Sequence, residues 1–258
     1  MDRAQLKEEA RTTLKGKMIP FVLAFVVFLC AELVIIAPFT ASIIFQDNPD
    51  SPSSSFLVGF IISYLLILAF MIVAFPMYLM TFIKGITKAA ELPESEKFTF
   101  KGFWSGLKGS SCGIGNFWWT FLWTYLWELL FLLPVIILVL VAIACGIEET
   151  ENYYFLVGLV AIIGYFGAIF AVINRGIAYS MNWFVLAKRP ATGAVEAMNI
   201  SKKITKGHKR ELFVLNLSFI GWFILSMFTC GLLLLWLMPY FFMTQYYAFR
   251  YLVEECKK

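Results

Sequence analysis

Long apolar runs alternate with short polar segments along the chain. A helix that crosses a bilayer needs about 20 predominantly apolar residues. Six runs are of this order: Met18 to Ile44, Phe56 to Ile83, Asn116 to Cys145, Tyr154 to Asn174, Leu212 to Phe228 and Leu232 to Val253. The pattern predicts an all-α membrane protein, with residues 18–258 forming a single six-span transmembrane domain.

Amphipathic segments precede the first, third and fifth runs, and residues 1–17 form the first of these segments. Their apolar residues recur at helical spacing: Leu6, Ala10 and Leu14 in the first, Phe100, Phe103, Trp104 and Leu107 in the second, and Ala197, Ile200 and Ile204 in the third. We therefore expect three transmembrane hairpins, each preceded by an amphipathic helix at the cytoplasmic membrane interface.

Each amphipathic segment ends at a Lys-Gly step: Lys15-Gly16, Lys108-Gly109 and Lys206-Gly207. Glycine is favoured just past a helix C-terminus, and lysine near that end complements the helix dipole. The step therefore predicts the end of a helix. Lys-Gly also occurs outside this pattern, at Lys84-Gly85 and Lys101-Gly102, so true sequence duplication and unrelated helix ends both remain open.

The distribution of basic residues predicts the orientation of the spans. All 21 lie before the first run, between the second and third, between the fourth and fifth, or near the end of the sixth. The intervening loops contain none. Because Lys and Arg prefer the cytoplasmic flanks of membrane helices, both termini are predicted to be cytoplasmic.

Composition agrees with this assignment, since 60% of the residues are hydrophobic and only 15% are charged. The net charge of +4 suits an anionic membrane leaflet and does not call for a nucleic-acid partner. The first apolar run is longer than the core of a signal peptide, so it is predicted to be retained. The five cysteines are scattered and show no metal-ligand or redox spacing.

Two carboxylates lie inside predicted spans, Glu32 in the first and Glu128 in the third. An ionisable group there costs about 2.5–3.5 kcal/mol on insertion scales, so it is a candidate functional residue. Arg175, near the inner end of the fourth span, is a candidate partner. Two interpretations stand: the carboxylates titrate or bind a cation during transport, or they are protonated or hydrogen-bonded and fix helix packing.

Aromatic and amide side chains supply the other candidates. Trp123 and Trp127 continue a helical stripe beside Glu128, which either packs against lipid and helices or forms an aromatic wall for a hydrophobic or cationic ligand. The remaining polar groups on membrane segments, expected to hydrogen-bond across helices, are Asn174, Asn182, Asn216, Ser180 and Ser218.

Recognisable catalytic motifs are absent from the sequence. It has no HExxH, GxSxG, Walker or CxxC motif, and its one histidine, His208, lies in a basic stretch. We therefore expect a protein that is not an enzyme and that needs no metal or cofactor.

Both ends of the chain resemble a known family. The opening RAQLKEEARTTLKGK and the C-terminal third, which contains LSFIGW (Leu217 to Trp222), Thr229, Gly231, Trp236, Pro239 and Tyr240, are similar to the bacterial integral membrane family catalogued as domain of unknown function nine-seven-five. Residues 19–190 are matched only as hydrophobic spans. The resemblance implies a multi-pass protein of the bacterial cytoplasmic membrane and carries over no functional residue.

These observations favour a non-enzymatic membrane protein that binds a lipid or a hydrophobic peptide as an accessory or protective factor. One alternative is a small proton-coupled transporter or exporter that uses Glu128 and Glu32 and is expected to form a homo-oligomer. A third hypothesis is a scaffold for a membrane complex. The expected partners are membrane lipids, a hydrophobic peptide or another membrane protein.

Overall fold

The computed structural model describes residues 2–44, 54–93, 96–107 and 151–256, together with single and short groups of residues between 115 and 140. The regular elements in these parts are all helical: α1 (Arg3–Leu14), α2 (Ile19–Ile44), α3 (Ser54–Ala69), α4 (Phe75–Glu91), α5 (Phe100–Trp104), α6 (Glu151–Tyr179), α7 (Asn182–Lys188), α8 (Ala194–Thr205), α9 (Lys209–Phe228) and α10 (Leu234–Glu255). A π-helical turn, Phe70–Ala74, joins α3 to α4, and a 3-10 turn, Ser105–Leu107, extends α5.

Three helical stretches are long and apolar enough to cross a membrane: Val58–Glu91, Ile162–Lys188 and Lys209–Phe228. A fourth candidate arises if α1 and Ile19–Val34, which meet at an angle of 83°, are taken together. The described part of the chain thus has three or four candidate spans, where the sequence predicted six. The prediction of an all-helical protein is confirmed for the described residues, and three of their helical stretches are candidates to span a membrane.

The predicted third and sixth spans account for most of this difference. The third, residues 116–145, lies largely outside the described residues. The sixth is helical, as α10, but polar side chains such as Gln245 and Arg250 lower its hydropathy. Much of α10 is also buried against protein, since it packs on α1, α2, α4 and α9.

Buried side chains are concentrated in one layer of the molecule. They lie near the starts of α2 and α9, as with Phe21 and Leu212, and near the ends of α4 and α6, as with Ile86 and Ile177. Large apolar side chains are exposed along α3, along α6 before its buried end, and along α9 after its buried start. The fold therefore has a compact layer and a layer of apolar helices whose outward faces suit contact with lipid.

The Lys-Gly steps end α1 and α8 in type II β-turns. Lys15 (φ −61°, ψ 115°) is followed by Gly16 at φ 81°, and Lys206 (φ −64°, ψ 126°) by Gly207 at φ 92°. The turns are closed by hydrogen bonds of 3.0 Å from the Lys17 N–H to the Leu14 carbonyl and 3.1 Å from the His208 N–H to the Thr205 carbonyl.

These dihedral angles explain why glycine is needed, because the third residue of a type II turn has positive φ. The two predicted helix ends are confirmed. By contrast, Gly85 and Gly102, which follow lysine outside the pattern, lie within helices. Gly109 lies outside the described residues.

The apolar faces of the amphipathic segments contact protein. Leu6, Ala10 and Leu14 are buried, and α1 packs mainly on α10. Ala197 and Ile204 of α8 and Phe103 of α5 are also buried in the compact layer. The predicted faces of the first and third segments are confirmed, and they pack on neighbouring helices. In the second segment Phe103 is buried but Phe100 is 38% exposed.

Polar contacts hold α1 in place. The hydroxyls of Thr13 and Tyr247 lie 2.5 Å apart, and the Lys7 ammonium lies 4.7 Å from the centre of the Phe219 ring. Burial, and secondarily the positive charge of Arg3, lower the pKa of Lys7. These contacts join α1 to both α9 and α10.

A second polar contact marks the junction of α3 and α4. Pro76 has no N–H, so the carbonyl of Ile72, four residues earlier, lacks its α-helical donor. The indole N–H of Trp118 donates to that carbonyl at 2.7 Å. The beginning of the third apolar run therefore lies beside the π-helical turn in the second.

Candidate functional site

The structure does not gather the predicted site residues into one place among the described residues. Glu128 and Trp127 lie outside them. Glu32 is half-buried on α2 and forms no hydrogen bond or ion pair within the described part of the chain. Trp123 is exposed and stacks on Trp119 at a centroid distance of 6.4 Å. Arg175 is half-buried on α6, a helix that packs on α8 and α9.

A concave surface lies elsewhere, between α6, α7, α9 and α10, and we call it the apolar groove. Its volume is about 580 Å³, within the usual range of ligand sites. Six aromatic side chains line it: Trp183, Phe184, Phe213, Phe223, Phe241 and Phe242. These residues come from three helices, so the groove exists only in the folded chain.

The polar groups of the apolar groove have partners. The Gln245 side-chain amide donates to the side-chain oxygen Oδ1 of Asn216 at 2.5 Å, which links α10 to α9. The Ser180 hydroxyl donates to the Ile177 carbonyl at 2.8 Å. These polar side chains already form hydrogen bonds within the protein. The groove therefore presents a mainly apolar surface that suits an alkyl chain or an apolar side chain.

Gly176 keeps one wall of the groove open. It lines the groove on α6, and a Cβ placed there would meet no atom within 4 Å. Gly167, earlier on the same helix, also has open space around it but does not line the groove. The two glycines form a matched pair for blocking experiments.

A second cavity, of about 840 Å³, lies at the ends of α4, α7, α8 and α10. We call it the cationic pocket because its lining contains more basic than acidic residues: Lys188, Arg189, Lys203 and Arg250 against Glu91 and Glu254. With both acids ionised, the lining carries a net charge of +2.

Two of the basic residues are neutralised by carboxylates. Glu91 accepts a hydrogen bond from Lys188 and another, at 3.3 Å, from the Tyr246 hydroxyl. Arg250 lies 3.9 Å from Glu254. The remaining two, Arg189 and Lys203, are exposed and form no ion pair within the described ranges.

An aromatic wall separates the two cavities. Phe184 lines the apolar groove, and its ring centre lies 5.8 Å from that of Tyr246 and 5.7 Å from that of Phe249, both of which line the cationic pocket. The molecule therefore places an apolar cavity and a positively charged cavity on opposite sides of one layer of rings.

Sequence reasoning identified only part of this arrangement. Hydrogen bonding across helices is confirmed for the three asparagines: Asn174 accepts from Lys209, Asn182 donates to Thr120, and Asn216 accepts from Gln245. The same prediction is wrong for Ser180 and Ser218, because their hydroxyls donate to carbonyls three residues earlier in the chain, those of Ile177 and Leu215. The groove itself was missed. Gln245, an amide within an apolar run, was the available signal.

The sequence was also compared with known proteins. The model of the family described as Protein of unknown function (DUF975) matches residues 1–255. No curated protein and no solved structure matches the chain.

Proposed function

The chain belongs to the DUF975 family of proteins of unknown function, and from that premise and the geometry of the apolar groove we propose a non-enzymatic membrane protein that binds a lipid or a hydrophobic peptide. The bound molecule lies between α6, α7, α9 and α10. The protein acts as an accessory or protective factor, which requires recognition of an apolar ligand but no bond making or breaking.

The proposal includes a membrane arrangement. The chain crosses the bacterial cytoplasmic membrane six times with both termini inside, and α10 and the run of residues 116–145 supply spans beyond the clearest candidates. Two features support it. The basic residues flank alternate apolar runs, and the buried side chains of α2, α4 and α6 lie towards the helix ends next to those basic segments.

The observation that carries the functional proposal is the lining of the groove. Aromatic rings offer large rigid surfaces at little conformational cost, so they can bind a flexible alkyl chain through packing. Such packing, with interhelical hydrogen bonds, governs association within a bilayer, where lipid tails are as apolar as the helices. The Asn216–Gln245 hydrogen bond holds the two sides of the groove together.

Photocrosslinking with Gly176→Leu tests this function. The added side chain enters the groove, whereas Gly167→Leu adds the same side chain outside it. Protein in detergent is irradiated with a photoactivatable phospholipid or a photoactivatable apolar peptide, and labelled fragments are identified by mass spectrometry. We expect Gly176→Leu to reduce labelling of the Trp183 and Phe213 fragments about tenfold, the effect of excluding roughly two methylene groups.

The control should label like the wild type. Equal labelling of the groove fragments in Gly176→Leu and Gly167→Leu, or no labelling of these fragments in the wild type by either probe, would overturn the proposed binding function.

A further inference from the structure

The cationic pocket has a charge that its own residues do not balance. Glu91 and Glu254 neutralise Lys188 and Arg250, while Arg189 and Lys203 lack a carboxylate partner within the described ranges. The two basic residues lie on different segments, one directly after α7 and one on α8. The fold therefore presents two positive charges to a single cavity.

The wall of the cavity is amphiphilic. Ile200, Ile204, Val253 and Phe249 contribute apolar surface beside the basic groups. A ligand that fits both parts has an anionic group next to apolar carbon. The volume of about 840 Å³ is much larger than a phosphate ion and leaves room for the glycerol and the first part of an acyl chain.

We propose that the cationic pocket binds the phosphate group of an anionic phospholipid, with Arg189 and Lys203 as its charged ligands. Basic pockets between membrane helices on the cytoplasmic side favour anionic headgroups, and each nearby Lys or Arg raises the affinity about fivefold. Arg189 can donate two parallel hydrogen bonds to phosphate oxygens. This inference rests on the proposed function, because it names the class of lipid that is bound.

Glu91 competes with the ligand for Lys188. Its carboxylate accepts hydrogen bonds from Lys188 and Tyr246, and the Lys188 ammonium lies 5.4 Å from the centre of the Tyr246 ring. Replacing Glu91 with glutamine leaves a neutral side chain of similar size and removes one negative charge from the pocket. Phosphate binding should then become stronger.

Native mass spectrometry of the full chain in mild detergent tests the site. Dioleoyl phosphatidylglycerol is the anionic probe, and dioleoyl phosphatidylcholine, with the same chains and no net charge, is the matched lipid. The test variant is Arg189→Gln with Lys203→Gln. Its control is Lys206→Gln with Arg210→Gln, which removes the same charges from exposed residues that do not line the pocket.

The wild type should retain phosphatidylglycerol in preference to phosphatidylcholine. The test variant should bind phosphatidylglycerol about 30-fold more weakly, the combined effect of two nearby charges. The control should bind like the wild type, and Glu91→Gln should bind more tightly. The gain expected for Glu91→Gln keeps the site testable if the double variant folds poorly.

Cys256 reports occupancy of the pocket directly, since it lines the cavity and is exposed. In a variant whose other cysteines are serine, phosphatidylglycerol should slow the reaction of Cys256 with a maleimide, and millimolar glycerol phosphate should not. Equal protection by glycerol phosphate would show a site for soluble phosphate compounds and would overturn the lipid assignment.

The two proposals fail in different ways. If the pocket variant and its control bind phosphatidylglycerol equally, while Gly176→Leu still reduces lipid crosslinking, the headgroup site is wrong and the apolar groove stands. If Gly176→Leu has no effect but Arg189→Gln with Lys203→Gln weakens phosphatidylglycerol binding, the cationic pocket stands and the groove is wrong.

Discussion

At the residue scale, Lys17 has a structural role in addition to its positive charge. From the sequence, Lys17 was interpreted only as one of the basic residues that mark the cytoplasmic side. In the structure it is 4% exposed. The ammonium donates to the carbonyls of Ala89, Leu92 and Pro93 at 3.1, 3.0 and 3.3 Å. The last carbonyls of a helix have no intrahelical donor. Lys17 thus caps the end of α4 and ties it to the turn after α1.

Lys17→Met should destabilise the protein. Methionine fills a similar space but leaves the buried Ala89 carbonyl without the lysine donor, which costs about 1–3 kcal/mol of unfolding free energy. Unfolding in mixed detergent micelles, followed by circular dichroism, measures the change. Lys15→Met is the control, because Lys15 is exposed in the same turn and its substitution should stay within about 0.5 kcal/mol. Equal stability of the two variants would contradict the capping role.

At the scale of elements, the two type II turns set the directions in which α1 meets α2 and α8 meets α9. A Cβ added at Gly16 or Gly207 would meet no atom within 4 Å, so backbone conformation and not crowding requires glycine. The same dipeptide within α4 or α5 is simply part of a helix. A Lys-Gly step is therefore not by itself sufficient to end a helix.

Gly16→Ala and Gly207→Ala should each lower stability by about 1–2 kcal/mol, because an L-residue at positive φ brings its Cβ close to the backbone. Gly221→Ala is the control: this glycine lies within α9 with open space around it, so alanine should raise stability by up to about 1 kcal/mol. The same unfolding measurement applies. If Gly16→Ala and Gly207→Ala left stability unchanged or raised it, as expected for Gly221→Ala, the turns would not constrain the fold.

Periodicity predicted helical faces but not their partners. Leu6, Ala10 and Leu14 lie on one buried face, as their spacing requires. A spacing of 3.6 residues has the same appearance whether the face contacts lipid or protein. The docking of α1 on α10 depends on side chains far apart in sequence, such as Thr13 and Tyr247, and no local pattern connects them.

At the scale of the whole molecule, the two cavities could not be read from sequence for the same reason. Glu32 was predicted as a candidate functional residue because a carboxylate is rare in an apolar run. Phe213 and Phe241 are ordinary residues of apolar helices, and only the fold brings them to one groove. The basic residues of the cationic pocket were predicted only as topological signals, since their spacing along the chain shows nothing of their convergence.

The proposed topology predicts opposite accessibility for two native cysteines. Cys230 is exposed in the turn between α9 and α10, and Cys256 is exposed beyond α10. In intact cells expressing variants with one cysteine each, a membrane-impermeant maleimide should react with Cys230 and not with Cys256. Permeabilised cells should allow both reactions and serve as the control. Labelling of Cys256 alone would reverse the orientation, and labelling of both in intact cells would place the two sites outside.

The packing of α1 on α10 has a consequence for how the protein is made. Thr13 and Tyr247 are separated by 234 positions, so the ribosome must add that many residues after Thr13 before their contact can form. At about 5–20 residues per second, that takes roughly 10–50 s. Throughout this time Leu6, Ala10 and Leu14 have no α10 to cover them. The nascent chain therefore carries an uncovered apolar face until α10 has been made.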